Sequence, residues 1–145
     1  MTNKEKISYL KQYRSLSMEI DQISEELQRW QDLATRISPS YSDMPHGGGS
    51  DKVQTAAVEV AELTDKLNQK LHQAIMVQEN IKKLLESLDD IKLRQLMSYR
   101  YINGMRWEEI AVRMDFNYRW VLRLHRKALN QISEQAIESH YNLMI

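Results

Sequence analysis

Apolar residues recur at alternating spacings of four and three along the first quarter of the chain. Between Tyr9 and Ile37 they form two interleaved heptad series: Tyr9, Leu16, Ile23, Trp30 and Ile37, and Tyr13, Ile20, Leu27 and Ala34. A narrow stripe of this kind is typical of a coiled-coil seam. We therefore predict a long helix here, with an oligomerisation surface formed by Tyr13, Leu16, Ile20, Ile23, Leu27 and Trp30.

The same spacing returns between Val53 and Leu88 and predicts a second long helix, although Lys70 places a charge in its seam. The segment between the two helices contains both prolines and three of the four glycines, residues that readily interrupt helices. We predict a flexible loop over residues 38–52. A phosphate-binding glycine loop would require a preceding strand, and the pattern predicts none. The simplest architecture is an antiparallel hairpin whose seam either closes on itself or pairs with another copy.

A different pattern begins at Ile91, where a helical segment runs to Asn103-Gly104, residues that readily take the left-handed conformation after a helix. A short helix follows, with apolar residues at positions i, i+3, i+4 and i+7: Trp107, Ile110, Ala111 and Met114. The next three residues, Asp115-Phe116-Asn117, fit only a tight turn, and Asn117 is a good N-cap for a last helix. Two short helices joined in this way, with the small Ala111 where they cross, predict a helix-turn-helix.

The last helix has two opposite faces. With Val121 as the origin and about 100° per residue, Ala128 and Ile132 lie within about 20° of it. The opposite face, about 140–200° away, carries Arg119, Arg123, Arg126 and Asn130. Arginine can bind guanine edges and phosphates, so we predict contact with double-stranded DNA. The candidate DNA-binding residues are Tyr118, Arg119, Trp120, Leu122, Arg123, Arg126, Lys127 and Asn130.

Charge supports this division of the chain. The net charge is zero, but residues 91–132 contain nine Lys/Arg and three Asp/Glu, whereas the rest contains eleven and seventeen. No acidic residue occurs between Phe116 and Ser133, although solvated surfaces normally mix both signs. A basic segment in an otherwise acidic chain indicates a polyanionic partner.

Composition limits the kinds of site that we expect in this protein and the compartment in which we expect it. The 145 residues include no cysteine, which removes disulfides and thiolate metal sites and favours a reducing compartment. The sequence contains no signal-peptide pattern and no apolar run of membrane-spanning length. The four histidines are widely separated, without the i, i+4 pairing of a helical zinc site, and no catalytic motif is present. We expect a cytoplasmic protein that is not an enzyme, makes no membrane contact and uses no metal or cofactor.

The stretch YRYINGMRWEEIAVRMDFNYRWVLRLHRKAL resembles the region-4 helix-turn-helix of sigma-70-type factors, in which the pattern RYxxGxSxxEIAxxLGxSxxxVxxxxxRA recurs. The residues that carry the resemblance are Tyr101, Gly104, Trp107, Glu109, Ile110, Ala111, Val121 and Ala128. With its long helices and MPHGGGSD loop, the whole chain is similar to small phage and prophage proteins of Gram-positive bacteria, grouped with the ArpU and RinA late-transcription regulators. The resemblance implies transcriptional control of phage genes.

Three positions depart from the sigma pattern. Arg106 replaces a serine that would cap the next helix and form a capping box with Glu109, at a cost of about 1 kcal/mol. Asp115 replaces the turn glycine and is slightly strained if left-handed. Trp120 replaces a small polar residue that often contacts bases, which calls into question recognition of the same DNA element.

These observations predict an all-α protein with a long, coiled-coil-like antiparallel hairpin followed by a helix-turn-helix of sigma region 4 type. We assign residues 1–88 to oligomerisation, 89–135 to DNA binding and 136–145 to a tail. The expected function is sequence-specific regulation of phage or prophage transcription by a homodimer or higher homo-oligomer at the bacterial nucleoid. Two alternatives stay open: a sigma-like adaptor that binds host RNA polymerase, and a DNA-packaging subunit of small-terminase type.

Overall fold

The computed structural model describes residues 1–37, 47–134 and 136–139, and the regular elements in these ranges are all helices. In chain order they are α1 (Asn3–Leu10), α2 (Gln12–Ile37), α3 (Gly47–Glu86), α4 (Ile91–Tyr101), α5 (Trp107–Met114) and α6 (Tyr118–Gln131). The predicted all-α class is confirmed. The chain forms two compact units, a hairpin unit over Leu16–Gln73 and a C-terminal unit that combines Met1–Ser15 with the chain from Ala74 onward.

The hairpin unit is built from α2 and the first part of α3. Its seam closes within one chain, because Leu16 and Ile23 of α2 are buried, as are Ala56 and Leu63 of α3. The other predicted seam positions in this unit are only half-buried: Ile20, Leu27, Trp30, Ala34, Val53, Val60 and Leu67. The charge that interrupts the seam is compensated, since Lys70 Nζ lies 2.8 Å from Glu19 Oε2. The predicted hairpin is therefore confirmed.

The predicted start of the second helix was wrong. The glycine run begins α3 at Gly47 instead of belonging to the loop, so the second helix starts before Val53. Glycine weakens a helix mainly in its interior, and the first N–H groups of a helix have no intrahelical partner in any case. The rest of the predicted loop, residues 38–46, lies outside the described residues.

The long N-terminal helix also bends where the heptad pattern predicted continuity. It is divided at Lys11, where the backbone stays in the right-handed helical region at φ −76° and ψ −8°. On the N-terminal side of the bend, Tyr9 and Leu10 are buried in the C-terminal unit. These two residues therefore belong to a different core from the one formed by Leu16 and Ile23.

In the C-terminal unit, α6 packs against α4, α5 and α1. Helix α4 begins at the N-cap Asp90, whose Oδ1 accepts a hydrogen bond from Lys92 N at 2.9 Å. The core of this unit includes these almost fully buried side chains: Leu93, Leu96, Met97, Tyr101, Ile110, Val121, Leu124, Ala128, Leu129, Ile132 and Ile137. In the described part of the chain, none of the helices combines the length and apolar character needed to cross a membrane.

Candidate nucleic-acid interface

Two turns set the geometry of α5 and α6. Gly104, in the turn that follows α4, has φ +69°, and Asp115, which ends α5, has φ 57° and ψ 44°. Asn117 then caps α6, because its Oδ1 accepts a hydrogen bond from Trp120 N at 2.8 Å. The predicted cap at Asn117 is confirmed, and Asp115 adopts the left-handed conformation in which an aspartate is slightly strained. The two helices are thus joined by the tight three-residue turn expected of a helix-turn-helix.

Helix α6 presents its basic residues away from the core. Val121 and Ala128 are fully buried, whereas Arg119, Arg123 and Arg126 are all exposed. The remaining candidate residues are also exposed: Tyr118, Trp120, Leu122, Lys127 and Asn130. The structure therefore brings all eight predicted side chains to the accessible surface of one helix.

The arginines on α6 are electrostatically uncompensated. Among the described residues, no carboxylate lies within 4.0 Å of the guanidinium groups of Arg119, Arg123 or Arg126. Two other arginines of the C-terminal unit donate to main-chain carbonyls: Arg94 Nη1 to Leu88 O at 3.2 Å and Arg100 Nη1 to Met105 O at 3.1 Å. The exposed guanidinium groups of α6 keep their donors available for an anionic ligand.

A groove lies at the N-terminal end of α6. It is lined by the cap residue and the first exposed side chains of the helix: Asn117, Tyr118, Arg119, Trp120 and Arg123. Tyr118 and Trp120 are each 44% exposed, which is high for large aromatic side chains. The groove therefore combines cationic donors with apolar surface.

The C-terminal end of α6 is covered by α1, a contact that the sequence pattern did not predict. Lys6 is buried, and its Nζ donates a hydrogen bond to Leu129 O at 2.9 Å. Asn3 Nδ2 donates to Asn130 Oδ1 at 3.2 Å, so this predicted DNA-binding residue also contacts α1. An ammonium group is favourable at a helix C-terminus, where the last carbonyls lack partners. Pairs separated by more than a hundred residues leave no local signal in a single sequence.

A polar cluster inside the unit links α4, α5 and α6. Tyr101 Oη and His125 Nε2 are 2.7 Å apart, and the Trp107 ring centroid lies 4.4 Å from that of His125. Burial lowers the pKa of His125 to about 4, and the nearby Arg100 charge acts in the same direction. Burial also raises the pKa of Tyr101 to about 12. Near neutral pH both groups are therefore neutral, and the imidazole tautomer sets which of them donates the hydrogen bond.

The arginine that replaces the expected cap of α5 has a different partner. Arg106 is the N-cap residue but its side chain makes no capping hydrogen bond, as predicted. Its Nε instead lies 2.7 Å from Glu109 Oε1, in an exposed ion pair. Glu109 is the residue that would complete a capping box with serine at position 106.

Other chemistry is sparse. Among the described residues, no group of three or more His, Asp or Glu side chains is placed to hold a metal ion. The candidate interface therefore depends on arginine side chains, exposed aromatic rings and the capped start of α6.

The chain matches a protein-family model. No curated protein matches it, and no solved structure does so. Residues 36–133, which include all of α3, α4, α5 and α6, match the model of the family described as "Protein of unknown function (DUF1492)". This segment is more than half of the 145 residues, and the chain belongs to the DUF1492 family.

Proposed function

We propose that the protein binds double-stranded DNA sequence-specifically through α6 and regulates transcription of phage or prophage genes. The observation that carries this proposal is the face of three exposed, uncompensated arginines on the second of two short helices joined by a tight turn. In such motifs the second helix enters the major groove and the first crosses the backbone. The resemblance of this segment to sigma region 4, and of the chain to phage late regulators, supports the regulatory role.

The spacing of the arginines fits a groove-binding helix. At about 1.5 Å of rise per residue, Arg119 and Arg126 are about 10 Å apart along the axis of α6. That distance corresponds to about three base pairs at 3.4 Å each. Residues near the N-terminus of a recognition helix usually contact base edges. We therefore assign base contacts to Arg119 and Arg123, and a phosphate contact to Arg126.

The proposal includes self-association through the hairpin. One helix-turn-helix offers a small contact area, and dimers bind more tightly because they engage two half-sites. Of the predicted association residues, Leu16 and Ile23 are already buried within one chain. Tyr13, Ile20, Leu27 and Trp30 are only half-buried and can be covered further by a second copy. Light scattering of an Ile20→Lys/Leu27→Lys variant tests this, with a monomer of retained helicity as the expected result.

A matched pair of triple variants tests DNA binding. Changing Arg119, Arg123 and Arg126 to alanine should leave the far-UV circular dichroism nearly unchanged, since these side chains face away from the core. Affinity for duplex DNA should fall, and the slope of log K against log salt should decrease by about 0.9 per lost phosphate contact. The control variant also has three alanines, which replace exposed cations of the hairpin helices: Arg29, Arg36 and Lys52. It therefore loses the same net charge as the α6 variant.

The single variants separate the two kinds of contact. Loss of a base-reading arginine should cost about 1–3 kcal/mol and relax preference at one base pair, whereas loss of a phosphate contact should weaken all sequences alike. If the α6 triple variant binds duplex DNA as tightly as the hairpin control, the DNA-binding proposal is wrong. Capture of host RNA polymerase would then favour the adaptor function, and a ring of many subunits would favour the packaging function.

A further inference from the structure

Exposed apolar side chains border the arginine face of α6 on both sides. With Val121 as the angular origin, the arginines lie at about 140–200°, Leu122 at about 100° and Trp120 at about 260°. The exposed fraction is 44% for Trp120 and 37% for Leu122. Both side chains belong to the first two turns of α6, the part of a recognition helix that usually contacts base edges.

The chemistry of these side chains limits what they can recognise. Leucine has no hydrogen-bonding group, and the indole of tryptophan has one donor and no acceptor. Base edges that present only donors and acceptors therefore offer Leu122 no specific contact and Trp120 at most one. The thymine C5 methyl group is the apolar feature that an unmodified major groove presents. Apolar side chains beside guanine-binding arginines are thus suited to base pairs that contain thymine.

The backbone of Trp120 is also held in a defined position. Its backbone N–H donates to Asn117 Oδ1 at 2.8 Å, which fixes the first turn of α6. Its side chain lines the same groove as Arg119 and Arg123. Because the three side chains line the same groove, base pairs next to those bound by the arginines come within reach of Trp120.

We propose that Trp120 and Leu122 select thymine by contacting its C5 methyl group on either side of the bases bound by Arg119 and Arg123. This inference rests on the proposed binding of DNA through α6 and adds the class of base pair at the edges of the site. It predicts a half-site in which G·C pairs are flanked by A·T pairs, each of which has its thymine on one particular strand. It also gives a function to Trp120, which departs from the sigma pattern.

Replacement of thymine by deoxyuridine tests the inference, because deoxyuridine lacks only the methyl group. The full-length protein first selects its tightest duplexes from a random-sequence pool. The best duplex is then synthesised with one thymine at a time replaced by deoxyuridine, and each affinity is measured at fixed salt. Loss of one buried methyl should weaken binding about fourfold at one or two positions.

Variants assign each methyl to a side chain. At the thymine contacted by Trp120, the Trp120→Gln variant should bind the thymine and deoxyuridine duplexes equally. At the thymine contacted by Leu122, the Leu122→Gln variant should do the same. Lys66→Gln, an exposed residue of α3 outside the proposed DNA-binding face, should keep the full discrimination of the parent. Circular dichroism checks that each variant remains folded.

The possible results distinguish this inference from the proposed function. If the parent binds thymine and deoxyuridine duplexes equally, methyl recognition is wrong while DNA binding stands. A loss that persists unchanged in both glutamine variants also overturns the assignment, since other residues then contact the methyl groups. If no duplex is enriched from the pool, both the inference and the proposed function are wrong.

Discussion

The hairpin unit and the C-terminal unit use apolar residues in different ways. In the C-terminal unit, Leu96, Ile110, Val121 and Ala128 are completely shielded from solvent by several helices that cross one another. In the hairpin, two helices lie along a single seam, and most seam positions stay half-buried. The C-terminal unit thus has a closed core, whereas the hairpin retains apolar surface that one chain alone does not cover.

This difference follows from the geometry of helix packing. Two antiparallel helices can shield only the centre of their shared stripe, while a third and fourth helix are needed to enclose side chains from every direction. A closed core gives a rigid support for α6, as recognition of bases requires. An open seam suits the proposed self-association, because a second copy would bury what remains exposed. Single substitutions should therefore have unequal effects in the two units.

The largest expected effect contrasts a core leucine with a seam leucine. Leu96→Ala should lower the free energy of unfolding by about 3–4 kcal/mol, since it leaves a cavity in a fully buried site. Leu27→Ala should cost only about 1 kcal/mol, because its side chain is half-buried. Urea unfolding followed by circular dichroism, at a concentration where the protein is monomeric, measures both. Equal losses would show that the hairpin has a closed core as well.

A pH-dependent effect should be confined to the C-terminal unit. His125 has a folded-state pKa of about 4, whereas an unfolded histidine titrates near 6.5. The neutral form is favoured in the fold, so this contribution to stability is fully present above about pH 6.5 and is lost as the pH falls toward 4. Between pH 7 and pH 4.5 the free energy of unfolding should decrease by about 2 kcal/mol from this residue alone.

Non-titrating variants isolate that contribution. His125→Gln keeps a hydrogen-bonding group beside Tyr101 but has no proton to gain, so its stability should depend less on pH than that of the parent. His72→Gln is the control, because His72 is exposed on α3 in the hairpin unit. Subtracting the pH dependences of parent and variant removes the contribution of the carboxylates. An identical pH dependence for the parent and His125→Gln would contradict the assignment.

A smaller effect is expected at the turn between α4 and α5. Both positive-φ positions in the described residues, Gly104 and Asp115, belong to the C-terminal unit. An alanine at position 104 would be strained at φ +69°, and its Cβ would collide with the guanidinium of Arg14, which donates to Gly104 O at 2.8 Å. Gly104→Ala should therefore cost about 1.5 kcal/mol.

Two further variants resolve the sources of this cost. In the Arg14→Ala background the collision is absent, so the remaining loss on Gly104→Ala measures the backbone strain. Asp115→Gly should have the opposite sign and raise stability by about 0.5 kcal/mol, because glycine adopts φ 57° without strain. Thermal unfolding gives both differences. Destabilisation by Asp115→Gly would show that the aspartate side chain stabilises the turn.

How far the sequence predicted the structure depends on the range of the interactions involved. The seam of the hairpin and the cap at Asn117 were predictable, since each follows from periodicity or from the preference of one residue. The arginine face of α6 was predictable for the same reason. The contact of Lys6 with Leu129 and the bend at Lys11 were not, because they arise from packing between segments that are distant in sequence.

The smallest expected effect compares the starts of two helices. At α1 a complete capping box is present: Thr2 Oγ1 accepts from Glu5 N at 3.3 Å, and Thr2 N donates to Glu5 Oε2 at 2.6 Å. At α5, Arg106 occupies the same cap position and its ion pair holds the carboxylate of Glu109. Arg106→Ser would release Glu109 and allow the same two hydrogen bonds to form.

The net gain from Arg106→Ser should be about 0.5 kcal/mol. The new cap contributes about 1 kcal/mol, and loss of an exposed ion pair removes a few tenths. Arg106→Ala is the matched variant, because it removes the ion pair without adding a cap and should be slightly destabilising. Thermal unfolding at low and high salt separates the two contributions, since only the ion pair is screened. If serine and alanine at position 106 give the same melting temperature, the start of α5 cannot form the box seen at α1, and the turn that precedes it holds the backbone away from capping geometry.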